Sequence, residues 1–397
     1  MILVINAGSS SIKFKLFSVS DIKNPLPILE GLSERIGVDG FMKIKFNNEK
    51  FEYSNALPNH EVAIALVLEK FQELGAIKNK DEIHAIGFRV VHGGKLAKSV
   101  VINDEVYQII KSNIELAPLH NPAAITVIDA VKKIMSSTKM VACFDTAFHQ
   151  TMNKEEFLYP VPNNWYEDFG VRKYGFHGIS YNYIVENYSK LSGKSKNDLN
   201  LIVCHLGNGA SISAIKNGKT IDTTMGFTPL AGLMMGTRSG DIDPSIIQFI
   251  CKKTGKTVDE VTNILNKESG LLGMSGLSAD MRDVLDANEK NDEKAKLALT
   301  KYNQIVADWI VKFANKLEGK VDAIIFTAGI GENSVRTRKF VMNNLHILGT
   351  EIDEEANHNF SYEDHLLVSS KTSAIPVYAM RTDEEKMICL DTLNLTK

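Results

Sequence analysis

No stretch of this 397-residue chain approaches the ~18 consecutive apolar residues that a membrane-spanning helix requires, so no membrane partner is expected. Cysteine is scarce. Cys143, Cys204, Cys251 and Cys389 are widely scattered and form neither a zinc-site spacing nor a disulfide framework. Three of them sit in apolar runs and read as buried thiols, which fits a reducing, cytoplasmic location. Charge of one sign is not in excess either. The net charge of −3 gives no reason to expect nucleic acid or an acidic membrane as a partner. The opening apolar run stops at Asn6 with no basic segment before it, so no secretory signal is expected. The chain has no Walker lysine motif, no His-Glu-x-x-His and no Ser–His–Asp order, which removes the commonest signatures of P-loop, zinc-peptidase and serine-hydrolase chemistry.

What is present is an apolar fraction of 44%, enough for sizeable cores, in a length that suggests two or three domains at roughly 150 residues each. The chain is organised around Asn6-Ala-Gly-Ser-Ser-Ser-Ile-Lys13. Met1 to Ile5 before it reads as a buried strand. Ile12, Phe14 and Leu16 after it alternate with Lys13 and Lys15, as on a half-buried strand. A tight turn of small hydroxyl residues between two strands brings backbone N–H groups and serine side chains to an anion, although an ordinary hairpin uses the same residues. The feature is echoed by His205-Leu-Gly-Asn-Gly-Ala-Ser-Ile-Ser-Ala214, again after an apolar run, Leu199 to Cys204.

Further along, Met42, Ile44 and Phe46 mark a strand and His60 to Leu74 a helix closed by Gly75. Ile83 to Val91 and Lys139 to Phe144 read as strands. Asn121-Pro122 reads as a cap and an early proline opening a helix to about Met135. In the second half, Asn217-Gly218 marks a hairpin between Ala210–Ile215 and Lys219–Thr223. Thr257 with Glu260 is a capping box. Asp292 to Leu317 is a long helix, and Val321 to Thr327 a strand delivered to Gly329-Ile-Gly-Glu-Asn-Ser334. A strand near Ala374–Met380 and a helix from Asp383 end the chain. Each half thus starts with strand, Gly/Ser turn and strand, and ends in alternating helices and strands: a duplicated α/β domain, with a boundary near residue 150. Ligands in such folds bind at the carboxyl ends of strands. Asn6, Arg89, Asp145, His205 and Gly329 all fall at or near such ends.

Three Gly-rich turns can hold phosphate: 7–11, 207–211 and 329–334. Arg89, on an apolar strand, needs a carboxylate or phosphate partner if buried. Arg238, in the Gly-rich loop 235–241, also suits bidentate anion binding, with a structural ion pair as the alternative for each. Asp145, at a strand end, is a candidate metal ligand, general base or orienter. His177, framed by Gly175 and Gly178, can donate a hydrogen bond to a transferring phosphoryl group. Glu384 and Glu385 either complement the helix dipole or provide a carboxylate for Mg²⁺. Together these point to phosphoryl transfer.

The segments Asn6–Lys13, Arg89-Val-Val-His-Gly-Gly94, Leu116-Ala-Pro-Leu-His-Asn-Pro122, Phe144-Asp-Thr-Ala-Phe-His149, Tyr174-Gly-Phe-His-Gly-Ile-Ser180, His205-Leu-Gly-Asn-Gly209, Gly236-Thr-Arg-Ser-Gly-Asp241 and Gly329–Ser334 resemble, in order and spacing, those of the acetokinase family. The resemblance runs from residue 2 to about 390. It implies duplicated ribonuclease-H-like, actin-like ATPase domains around a central nucleotide cleft. Residues 1–150, joined by the C-terminal helix (about 384–397), would form the N-terminal domain, and 151–383 a nucleotide-binding C-terminal domain, usually in a homodimer. It implies reversible transfer from ATP to acetate, giving ADP and acetyl phosphate. Asn6 and Glu384 would hold Mg²⁺, with Mn²⁺ as an alternative ion. Arg89 would bind the acetate carboxylate, with Val91, Leu119, Phe176 and Pro229 around its methyl group. Asp145 would be the acid/base or orienting group, and His177 and Arg238 would stabilise the phosphoryl group with His120 close by. Lys13, His205, Leu206, Gly207, Asn208, Gly209, Asp280, Met281, Arg282, Gly329, Ile330, Gly331, Glu332 and Asn333 would contact ATP.

Two positions depart from the family pattern. Phe88 stands where histidine is usual, which affects packing. Met380-Arg-Thr-Asp383 stands where a proline and an asparagine are usual, so Glu385 is an alternative to Glu384. The rival readings are a propionate or other short-chain carboxylate kinase, a sugar kinase, and an ATP-driven conformational module of the same superfamily.

Overall fold

In a computed structural model, which describes residues 1–118, 120–359 and 362–397, the opening stretch forms an antiparallel hairpin. Its strands are β1 (Ile2–Ala7) and β2 (Ser11–Ser18). The chain separates into two units, Met1–Gln150 with Asp383–Lys397, and Thr151–Thr382.

The sheet of the first unit also contains β3 (Leu26–Glu34), β4 (Phe41–Phe46), β5 (Glu49–Tyr53), β6 (Ala85–Val90), β7 (Val100–Val101) and β8 (Lys139–Phe144). Its order is β5-β4-β3-β2-β1-β6-β8-β7. Strands β1, β6 and β8 run parallel, and the remaining pairs are antiparallel. The second sheet comprises β9 (Leu201–Leu206), β10 (Ala210–Lys216), β11 (Lys219–Thr223), β12 (Ala323–Thr327), β13 (His365–Leu367) and β14 (Val377–Met380), in the order β11-β10-β9-β12-β14-β13. Here β9, β12 and β14 are parallel and the others antiparallel. The five strands β3-β2-β1-β6-β8 therefore repeat in β11-β10-β9-β12-β14, sense for sense. Asn6 on β1 and His205 on β9 occupy equivalent places in the two repeats.

Strand alternation decides what each face of the first sheet carries. Leu3, Ile5, Phe14, Phe88 and Val90 join the core built with the helices His60–Glu73 and Asn121–Ile134, which supply Val67, Phe71, Val127 and Val131. The opposite face of β6 carries Ala85, Gly87 and Arg89, and the C-terminal helix Glu384–Thr396 lies against it. Gly87 makes this approach possible. A Cβ there would stand 2.3 Å from Thr392 Oγ1 and 2.6 Å from Ile388 Cγ2. One strand repeat beyond Gly87 is Arg89, and one helical turn before Ile388 is Glu384, so the packing brings those two side chains together. Gly87→Val is expected to destabilise the protein by about 1–3 kcal/mol through overpacking, read as a lower urea midpoint. An unchanged midpoint would show that the helix has room to move.

Local signals also take the expected form. Asn217 and Gly218 both have positive φ, 53° and 71°, as a tight hairpin turn requires. Thr257 and Glu260 form the reciprocal capping box. Asn121, expected as a helix cap, is instead the first helical residue, and His120 takes the cap position. The Asn121 amide is fully buried. It accepts from the His92 N–H at 3.1 Å and donates to the carbonyls of His92 at 3.0 Å and Ile110 at 3.2 Å. Satisfying buried backbone groups outweighs capping here.

Candidate functional site: a carboxylate–arginine cluster and a nucleotide-sized cavity

In the first unit, Arg89 on β6 donates from Nε to Asp145 Oδ1 at 3.0 Å and from Nη2 to Asp145 Oδ2 at 2.7 Å. Asp145 follows β8 and is 2% exposed. Glu384 Oε2 lies 3.6 Å from Arg89 Nε. Burial works against the Arg89 charge, but Asp145 and Glu384 outweigh it and hold the guanidinium more firmly protonated than usual. For Glu384 the balance runs the other way. Its burial, with Asp145 and Glu385 nearby, overrides the attraction of Arg89 and Lys13 and pushes its carboxyl up to about 7. Glu385, the next residue, is also enclosed, yet Lys13 and Lys15 outweigh its burial and hold it below the usual carboxylate range.

The two adjacent glutamates thus differ in kind. Glu385 belongs to an ion pair with Lys13, while Glu384 is a carboxylate short of positive charge. Asn6 stands beside Arg89 in the β1–β6 register. Among the described residues no group of three or more His, Cys, Asp or Glu side chains is arranged to hold a metal ion. Mg²⁺ commonly takes only one or two carboxylates, with phosphate oxygens and waters completing its shell. An under-neutralised Glu384 with the Asn6 amide carbonyl fits that donor chemistry.

The second unit holds a cavity of about 730 Å³. Gly207, Asn208, Asp280, Met281, Arg282, Gly329, Ile330, Asn333 and Ser334 line it, as do Val335 and Arg336, which the sequence reading did not single out. Asp280 caps the helix Met281–Glu289, accepting from the Arg282 N–H at 2.9 Å. Hydrogen bonds from Arg282 pull its carboxyl down to about 2. The expected turn after β12 is compressed: the short helix Ala328–Asn333 starts at once, with Ala328 at φ 65°. Glu332 and Gly331 do not line the cavity. The Glu332 carboxylate points inward, accepting from Ala328 N at 2.9 Å and Thr382 N at 3.0 Å, and so ties the segment to the end of β14. The fully buried Arg338 holds it from below, donating to the carbonyls of Gly331 at 2.9 Å and Glu332 at 2.7 Å. Sequence reasoning missed Arg338. Its signal was its place on the apolar face of the helix Val335–Met342, in step with Val335, Val341 and Met342.

Close to Gly207 and Asn208, the side chains of Arg238, His177 and His205 gather beside Gly209. A Cβ on Gly209 would lie 3.4 Å from Arg238 Nη1 and 3.6 Å from His177 Nε2, so both donors converge over a glycine that leaves space for a ligand. Arg238 Nη1 donates to the Pro229 carbonyl at 3.1 Å, and no carboxylate pairs with it among the described residues. Burial pulls its pKa below the ordinary value. A half-buried guanidinium with no carboxylate partner among the described residues can take an incoming anion. His177 precedes the helix Gly178–Ser192 in a left-handed conformation, φ 60°, which is rare outside glycine and is a strained geometry of the kind found at functional sites. Its ring stacks on His205 with centroids 4.1 Å apart.

The remaining expected residues lie as follows. Val91 is half-buried after β6. Phe176 is 1% exposed, and Pro229 is half-buried beside Arg238. His120 is half-buried. Leu119 lies outside the described residues. His205 and Leu206 are buried at the end of β9, and Lys13 is held by Glu385 in the first unit.

One sheet order used twice, with a Gly-lined cavity close to a half-buried arginine and a histidine, defines a kinase built from duplicated actin-like ATPase domains. More particularly, the chain belongs to the acetokinase family, whose model matches residues 1–390. It is 59% identical to the acetate kinase of Mesoplasma florum over 397 residues, all of both chains. Among solved structures, the acetate kinase of Porphyromonas gingivalis is similar at a TM-score of 0.93 and 38% identity, covering 100% of this chain and 99% of that one. The propionate kinase of Francisella tularensis matches at 0.93 and 41% identity, covering 99% of each.

Proposed function

We propose that this chain catalyses reversible, Mg²⁺-dependent phosphoryl transfer between ATP and acetate, giving ADP and acetyl phosphate by direct in-line displacement. The observation that carries the reading is the contrast between the two arginines. Arg89 sits among carboxylates: Asp145 holds its Nε and Nη2, and an acetate carboxylate can approach the guanidinium on the side where Glu384 lies 3.6 Å away. Arg238, without an acid, awaits a group that brings its own negative charge. Full-length similarity to acetate kinases supports the same assignment.

In this reading the second unit takes the nucleotide, with Gly207, Asn208, Gly329, Ile330 and Asn333 against its phosphates and base. Arg238 and His177 donate hydrogen bonds to the equatorial oxygens as charge develops in the transition state. In the first unit Arg89 orients the acceptor carboxylate. With both its oxygens engaged by Arg89, Asp145 acts as an orienter; acetate is already ionised at neutral pH and needs no base. Asn6 and Glu384 would hold Mg²⁺, which when bound neutralises phosphate charge. The methyl group would face Val91, Phe176 and Pro229. The free, buried thiols Cys143, Cys204 and Cys389 support the cytoplasmic location that belongs to this reading. The homodimer usual in the family belongs to the same reading. The exposed Ile246 and Phe249 of the helix Ser245–Thr254 are apolar surface available for it.

Propionate is the second reading, favoured by the similarity to a propionate kinase. One methylene changes transition-state binding by about 1–3 kcal/mol. In a hydroxamate assay with ATP, acetate is therefore expected to lead propionate by about 10-fold or more in kcat/KM, with butyrate lower still. ADP release that proceeds equally without any carboxylate would refute carboxylate kinase activity. Propionate ahead of acetate would establish the second reading.

A further inference from the structure

The stacked rings of His177 and His205 leave open which nitrogen of His177 carries the proton, and the proposed chemistry depends on it. A neutral imidazole with hydrogen on Nε2 offers a donor to a phosphoryl oxygen; with hydrogen on Nδ1 it would aim a lone pair at a negatively charged group. Behind the ring, His177 Nδ1 lies 2.8 Å from Ser211 Oγ, and Ser211 Oγ lies 2.5 Å from Tyr181 Oη. Both partners are completely enclosed, at 0% exposure. Ser211 is the second residue of β10 and faces His205 in the β9–β10 register, while Tyr181 sits one turn into the helix that His177 begins. The hydrogen-bonded line therefore connects a strand and a helix that are both fixed by the core.

We propose that Tyr181 and Ser211 are positioning residues that set the tautomer of His177: Tyr181 donates to Ser211, Ser211 donates to His177 Nδ1, and Nε2–H is thereby presented to the transferring phosphoryl group. The inference rests on the role given above to His177 and adds how that role is secured. The direction follows from acidity. A phenol is a stronger donor than an aliphatic alcohol, so in a phenol–alcohol–imidazole line the phenol gives its hydrogen to the serine oxygen, and the serine hydrogen is left to point at the ring. Burial pushes the Tyr181 phenol well above its usual range, which keeps that hydrogen in place at every working pH. The surroundings on the other side of the ring favour the neutral form. His205 is stacked on it, with its own Nδ1 at 2.8 Å from Ser180 Oγ, and Arg238 Nη1 approaches the same glycine as His177 Nε2. A second positive charge between these groups would be repelled.

The signal in the sequence is modest. Ser211 and Ser213 alternate with Ala210, Ile212 and Ala214, which places hydroxyls on one face of a buried strand directly after a Gly-x-Gly turn, where apolar side chains would be the ordinary choice.

The test uses the full-length protein labelled with ring-¹⁵N histidine, the His177 resonances being assigned by their loss in His177→Gln. At pH 7.5 the wild type is expected to show a protonated Nε2 and an unprotonated, hydrogen-bonded Nδ1. Ser211→Ala is expected to move His177 toward the Nδ1–H tautomer and to lower kcat by about 10²-fold, as loss of one oriented donor does. The KM values for ATP and acetate should then stay within about threefold, because ground-state binding is untouched. Ser211→Thr keeps the hydroxyl and should restore both the signature and most of kcat. Tyr181→Phe removes the first donor without touching the ring and should give an intermediate loss with mixed tautomers. It serves on its own if Ser211→Ala does not fold. A wild-type Nδ1–H signature, or a Tyr181→Phe protein unchanged in both spectrum and kcat, overturns the proposal. Unchanged turnover in His177→Gln would instead defeat the catalytic role of His177, while the ¹⁵N signature would still decide the tautomer.

Discussion

Arg89→Lys is expected to lower kcat/KM for acetate by about 10²–10³-fold while leaving the fold nearly as stable as the wild type. The structure separates two functions of this side chain. As a charge it compensates Asp145, which is 2% exposed, and partly compensates Glu384. As a planar fork it meets both oxygens of one carboxylate, from Nε and Nη2. Lysine keeps the first function and loses the second, because an ammonium is a point charge without a fixed donor geometry. Arg89→Ala removes both. It leaves buried carboxylates without a partner, which costs about 3–5 kcal/mol in comparable pairs, so it should lose activity and shift the urea midpoint together. Hydroxamate kinetics and urea unfolding on the two variants make the distinction. Wild-type kcat/KM in Arg89→Lys would show that the guanidinium fork does not orient the acceptor. A large stability loss in that variant would show that lysine cannot reach Asp145.

Much of the scaffold behind this prediction is legible in the sequence, because it rests on local rules. The alternation of Ile12, Phe14 and Leu16 with Lys13 and Lys15 specifies a half-buried strand, and β2 has that pattern. Asn217-Gly218 specifies a turn that few other dipeptides can make, and the repeated strand–Gly/Ser turn–strand order announces the topology found in both sheets. What is not legible depends on partners distant in sequence. Nothing local separates Glu384 from Glu385. They part only when Lys13 and Lys15 on β2 claim one, and Arg89 on β6 approaches the other. The sequence treats Glu332 as one more residue of a Gly-rich nucleotide turn. Its inward direction is set by the Thr382 N–H, fifty residues later. Asn121 reads as a cap by every local criterion until the backbone groups of His92 claim its amide.

The separation of the two glutamates leads to the other large effect. A carboxyl held at about 7 in the folded protein, against 4.5 in the absence of its surroundings, binds its proton more tightly folded than unfolded. The sign follows. Below about 4.5 the group is protonated in both states and contributes nothing. From there to about 7 the folded state holds more protons, so stability falls as pH rises, and above about 7 the loss is complete. A shift of this size corresponds to a penalty on the order of 3 kcal/mol. Glu384→Gln removes the titrating charge and keeps the shape. Without divalent cations, the variant should match the wild type near pH 4.5 and exceed it in Tm at pH 8. Added Mg²⁺ should favour the wild type, since a cation at Glu384 relieves the strain of its negative charge. Activity should move in the opposite direction to metal-free stability: loss of a ligand to an ion worth several kcal/mol of phosphate charge stabilisation lowers kcat by about 10³-fold. Glu385→Gln provides the contrast. Its carboxyl is held low by lysines, so its removal should lower stability at neutral pH rather than raise it. If the Tm difference between Glu384→Gln and the wild type is the same at pH 5 and pH 8, Glu384 does not carry the proton, and the assignment of the under-neutralised carboxylate passes to another member of the cluster.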